Sequence, residues 1–200
     1  MSIFNTKRMT AMNSQTVEHF VLGAGIFAKN FVPGTDTYES AKKTGKLLGA
    51  TAGGGEFKAA KVGHYSQVDG VPENTKGLYI LDYWTTTMQA TVKELTADAI
   101  ASAMAAAKKT TEESVTGYDV IVPKSALELD DYTDNITYIG RIVGSEKPII
   151  IQIFNAFNTN DLSIQPKDND EATVQVIFTG HYDPDNLETP PYKIYWPKEA

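Results

Sequence analysis

The run Leu78-Tyr79-Ile80-Leu81-Asp82-Tyr83-Trp84-Thr85-Thr86-Thr87-Met88-Gln89-Ala90-Thr91-Val92-Lys93 has a period of two. Leu78, Ile80, Trp84, Met88 and Val92 fall on one side. Tyr79, Tyr83, Thr85, Thr87, Gln89, Thr91 and Lys93 fall on the other, the alternation of a strand with one face in a core and one face turning polar. A usual strand holds roughly five to six residues, so a run this long bends or continues beyond a single compact sandwich. Asp82, on the otherwise apolar side, is the expected bend.

Downstream the period changes. Thr96 is a good N-cap, Asp98 sits where the helix dipole favours an anion, and Lys108 and Lys109 suit the far end, which predicts a helix over Thr96–Lys109. Its packing face is Ile100, Ala103, Met104 and Ala107; the remaining Ala and Ser residues let it approach a sheet or a neighbouring subunit closely, as a spacer. Alternation returns at Tyr118–Val122, Ile136–Val143, Ile149–Phe157, Ala172–Tyr182 and Tyr192–Trp196, with Gly144–Pro148 as a hairpin connection. Upstream, Gly23–Phe31 and Glu56–Gln67 read as strands interrupted by glycine and lysine. Pro33–Gly55 has no period and carries Lys42, Lys43, Lys46 and the run Gly53-Gly54-Gly55, so it is expected to be a long loop, mobile unless a partner orders it. The fold class is therefore mainly β, a sandwich or partial barrel with one flanking α-helix, and the 200 residues are expected to form one domain over 1–200.

Composition narrows the function. The content of apolar residues excludes wholesale disorder, and no apolar run reaches the length of a membrane span, so a soluble protein without a membrane partner is expected. Cysteine is absent, which removes disulfides, thiolate metal sites and cysteine nucleophiles. Met1–Gln15 carries Lys7 and Arg8 but no apolar core followed by a cleavage site, so no secretory leader is expected. A formal charge of -7, with lysines only in local groups, argues against a protein built to grip nucleic acid.

The spacing of reactive residues offers no site for chemistry. The Gly53-Gly54-Gly55 run leads through Glu56 and Phe57 into a strand, and Gly45-Lys46 is followed by Leu47, so neither forms a phosphate loop. His19, His64 and His181 stand on separate segments without metal-ligand spacing. Asp130 with Asp131, Asp168 with Asp170 and Glu171, and Asp183 with Asp185 lie beside turn-forming residues, and His181–Glu188 lacks the central glycine of a calcium loop. No Gly-X-Ser-X-Gly nucleophile motif is present. No catalytic, cofactor-binding or metal residue is assigned, and the chain is not expected to be an enzyme.

Several stretches, taken in order, resemble the bacteriophage major tail protein (tail tube) family. They are Leu48–Phe57, Val68-Asp69-Gly70, Lys76-Gly77-Leu78, Glu94-Leu95-Thr96, Tyr118–Lys124, Ile139–Gly144, Asn155-Ala156-Phe157-Asn158 and Phe178–Asp183. The resemblance implies a structural virion protein whose hexameric rings stack along a tape measure protein, between terminator and baseplate or tip proteins. It would be made in the host cytoplasm and end in the virion tail, with DNA passing through the lumen without specific binding. A loop reaching to neighbours is part of that picture, which makes Lys42, Lys43, Lys46, Gly53, Gly54 and Gly55 the candidate inter-subunit residues. The alternatives are the tube of a phage-like bacteriocin or secretion system, and a secreted or surface β-sandwich module that binds a ligand through exposed Tyr and Trp.

Overall fold

The computed structural model describes residues 11–110, 115–166 and 168–198. Lys7 and Arg8, within the stretch read for a leader, lie outside the described residues. The alternating stretches form β1 (Val21–Lys29), β2 (Thr51–Tyr65), β3 (Tyr79–Val92), β4 (Ala107–Thr110), β5 (Val120–Pro123), β6 (Thr133–Ile142), β7 (Ile149–Asn158), β8 (Val174–Gly180) and β9 (Tyr192–Tyr195), with helices α1 (Tyr38–Lys43) and α2 (Ala97–Met104). The mainly-β class holds.

Seven strands form one sheet in the order β1-β6-β7-β8-β3-β2, with β9 on a second edge of β7. One strand belongs to both halves of it. Ile150–Ile153 of β7 pairs with Tyr192–Tyr195 of β9, whereas Phe157 and Asn158 pair with Thr179 and Phe178 of β8. Between these stretches Asn155 takes φ 47°, a left-handed conformation that asparagine tolerates. His181 clamps the corner: its N–H donates to the Phe154 carbonyl at 3.0 Å, and the Asn155 side-chain amide donates to the His181 carbonyl at 3.3 Å. Because of this corner the sheet curls into a half-barrel. The end strands β1 and β2 approach each other, and the concave side holds Phe27, Met88, Val92, Ile136, Ile153, Val174, Val176 and Phe178.

Pro33–Gly55 is not one loop, which corrects the sequence expectation. Thr37 caps α1: its hydroxyl accepts from the Ser40 N–H, and the Ser40 hydroxyl accepts from the Thr37 N–H at 2.8 Å. Ala41 is buried with Ala28 and Phe31, beside Leu47, Ile139 and Ile150, so the segment covers the outer face of β1-β6-β7. The glycine run belongs to β2. Thr51 opposes Val92 and Gly55 opposes Ala90, four steps on β2 against two on β3, so β2 carries a bulge. Gly53 and Gly54 make it with φ of 74° and 78°. Gly55 passes under the Phe27 ring, where a Cβ would collide. Glycine is required here for the backbone to cross an aromatic ring.

The helix is shorter than Thr96–Lys109. Ala105 takes φ 57° and ends α2, and Ala107, Lys108 and Lys109 go into β4, paired with β5. An alanine-rich stretch has no apolar period to mark where helix stops, and strand pairing with Val120–Pro123 claims the last residues. Of the expected packing face Ala103 is buried in the core, with Ala99 and Leu95 beside it, while Ile100 and Met104 are half-buried.

Candidate functional site

Only Thr86–Val92 of β3 pairs with β8. From Tyr79 to Thr85 the strand pairs, among the described residues, with β2 alone, so the two continue past the sheet as a hairpin arm. At about 3.4 Å per residue those seven positions project roughly 20 Å. The base of the arm is braced. Trp84 and Phe57 both pack on Tyr192 of β9, with ring centroids 5.6 and 5.8 Å apart, and the Trp84 N–H donates to the Tyr182 hydroxyl at 2.8 Å.

Beyond that brace the arm is apolar on both faces. Tyr65, Tyr79, Ile80, Leu81 and Tyr83 are 41 to 49% exposed. Tyr65 and Tyr79 pair edge to face, and Gly63 lets the Tyr79 ring lie over the backbone, where a Cβ would meet it. Val62 opposes Tyr83 while Gly63 opposes Leu81, which leaves Asp82 as one extra residue on β3. The bend expected at Asp82 is this bulge, and it sets the carboxylate 2.9 Å from His64 Nδ1.

The residues proposed from sequence do not gather at the arm. Lys42 and Lys43 are exposed in the last turn of α1. Lys46 is tied to Asp36 at 2.6 Å. That hydrogen bond, with another from the Val32 N–H, holds the Asp36 carboxyl below the usual carboxylate range. Gly53 and Gly54 lie at the start of β2, across the sheet from the arm tip. What sequence reading missed was the apolar character of Tyr79–Tyr83: the over-long strand was visible, but which half of it lay outside the core was not.

Elsewhere several lysines meet carboxylates. Lys124 donates to Asp131 at 2.7 Å and to Glu128 at 2.8 Å, which raises the lysine to about 12 and lowers Asp131. Lys109 is raised by its bond to Asp119, and Glu171 is lowered by Lys93. His181 stacks on Phe157 at 5.0 Å and its Nδ1 meets the Asn155 carbonyl at 3.0 Å, a structural placement at the sheet corner. Among the described residues no helix is long and apolar enough to cross a membrane.

Further exposed apolar residues lie on both sides of the β6–β7 hairpin, Phe20, Val21 and Leu22 beside β6 and Ile194, Tyr195 and Trp196 beside β7. Trp196 lines a cleft with Glu18, His19, Glu146 and Lys147.

No family model matches the chain, and no curated protein matches it. Among solved structures it is similar to one described as the tail of an empty GTA particle, obtained by helical refinement with C6 symmetry. Identity is 13%, the match covers 86% of this chain and 96% of that chain, and the TM-score is 0.36.

Proposed function

We infer that this chain is a structural, self-assembling subunit whose copies join through the β2–β3 arm into the tube of a phage-like tail. The arm is the observation that supports this best. A two-stranded hairpin is marginal in water by itself, and this one leaves five large apolar side chains exposed and, among the described residues, the outer edge of β2 unpaired. Contiguous exposed apolar surface and a free strand edge are both features of a surface that another chain covers.

A second copy is the occupant the molecule favours, because its own exposed residues at Phe20–Leu22 and Ile194–Trp196 offer apolar surface of matching kind. Contact between two different patches of one chain is head-to-tail, and such contacts close into rings or grow into filaments. The ordered sequence resemblance extends this reading to hexameric rings stacked along a tape measure protein, in a virion tail through which DNA passes without specific binding; the head-to-tail character of the two patches supports closure into a ring of some size. The charge of -7 and the pairing of Lys46, Lys93, Lys109 and Lys124 with carboxylates support weak contact with phosphates.

Negative-stain microscopy of the concentrated protein tests the reading: rings or tubes are expected. A folded monomer at every concentration would overturn it in favour of a ligand-binding module.

A further inference from the structure

The arm carries one ionisable pair in an otherwise apolar surface. His64 on β2 lies opposite Ile80, with Val62 before it and Tyr83 across the bulge. Asp82, displaced by that bulge, is the charged group facing it at 2.9 Å. The other charges along the hairpin are Lys61, which opposes Trp84, Glu56 and Lys58 nearer the body, opposite Gln89 and Thr87, and Asp69, Glu73 and Lys76 in the connection between the strands. A bulge is costly to pairing and is placed where a side chain must be re-aimed; here the re-aimed side chain is a carboxylate, and its target is an imidazole.

We propose that the His64–Asp82 pair makes docking of the arm onto a second copy pH-dependent, strongest where His64 is protonated. This rests on the self-assembly reading. In the free subunit the two side chains are 59 and 38% exposed, so water screens the interaction between them. Docking against an apolar neighbour removes that water. An imidazolium beside Asp82 then offsets the carboxylate, whereas a neutral imidazole leaves a charge stranded in the contact.

The sign follows from linkage. The docked state favours the protonated imidazole, so docking takes up a proton; its full strength is present in acid and is lost as pH rises through the docked-state titration. Histidine changes charge between about pH 5 and 8, so assembly weakens over that interval.

The test is the critical concentration for assembly, measured by light scattering between about pH 5.5 and 8.5. For the native chain it should rise by about tenfold across the range. H64Q should flatten the dependence. D82N should reverse it, because a docked imidazolium then has no counter-charge and acid weakens assembly. Melting temperatures of the free variants should match the native chain, which separates docking from folding. Assembly of the native chain that ignores pH, or H64Q that keeps the native dependence, would overturn the switch while leaving self-assembly intact. Failure of the native chain to assemble at any pH removes the self-assembly reading and the switch with it.

Discussion

The buried side chain of Asn158, at the end of β7, ties α2 to β8. Its amide donates to the Ala103 carbonyl at the end of α2 and to the Asn160 carbonyl, and its oxygen accepts from the Ile177 N–H at 2.7 Å. Asn158→Ala strands the Ile177 N–H and the helix-end carbonyl, so urea denaturation should show a loss of about 1–3 kcal/mol. The spacing of the sequence shows Asn158 only as the end of a strand, since its partner Ala103 is 55 residues away. Thr86 is the converse case: its hydroxyl is buried, faces Gly180 and has no hydrogen-bond partner among the described residues. Thr86→Val keeps the shape and removes the unpaired hydroxyl, so it should raise stability, by up to about 1 kcal/mol in the same assay. Asp131 gives a pH signature. Its carboxyl is depressed by Lys124 and the Glu128 N–H, so its contribution is present above the unfolded carboxylate range and fades as pH falls through its lower folded value. Asp131→Asn should therefore lower the melting temperature at neutral pH and shrink the acid-side decline of the native protein. Lys124, raised to about 12, keeps its share well into alkali.

Elements were legible where burial imposed a period. The hairpin of β6 and β7 follows the alternation of Ile136–Val143 and Ile149–Phe157 because these strands sit in the middle of the sheet. α1 was not legible: six residues are too few for a helical period, and its signature was the capping pair Thr37 and Ser40. The glycine run was misread because glycine marks loops and bulges alike, and only the Phe27 ring above Gly55 distinguishes them. α2 packs on the sheet through Ala103, with Ala99 and Leu95 beside it. Ala103 is fully enclosed, so Ala103→Leu should overpack the contact and cost about 1–3 kcal/mol. An unchanged melting curve would mean that the helix can shift away from the sheet.

At the scale of the whole molecule the arm and the body should respond differently to change. Leu81→Glu combined with Tyr83→Glu places two charges on the exposed surface, so assembly should be lost while the melting temperature stays close to native. Hydrogen exchange provides a second reading. Amides of the segment around α1, such as the Leu48 N–H bonded to the Phe27 carbonyl at 2.9 Å, should be protected in the free subunit, and those of the unpaired β2 edge only after assembly. The pairing pattern also sets an order of events in time. The β2–β3 and β6–β7 hairpins close between neighbouring strands, whereas β1 must find β6 after the chain between them has been collected, as in the bond from the Phe31 N–H to Asn135 across 104 residues. Local hairpins form on the microsecond scale and distant pairings much more slowly. The apolar arm therefore begins to close before the half-barrel that anchors it, only marginally stable until then, and refolding at high concentration should divert chains into aggregates through an arm that meets other chains before its own body.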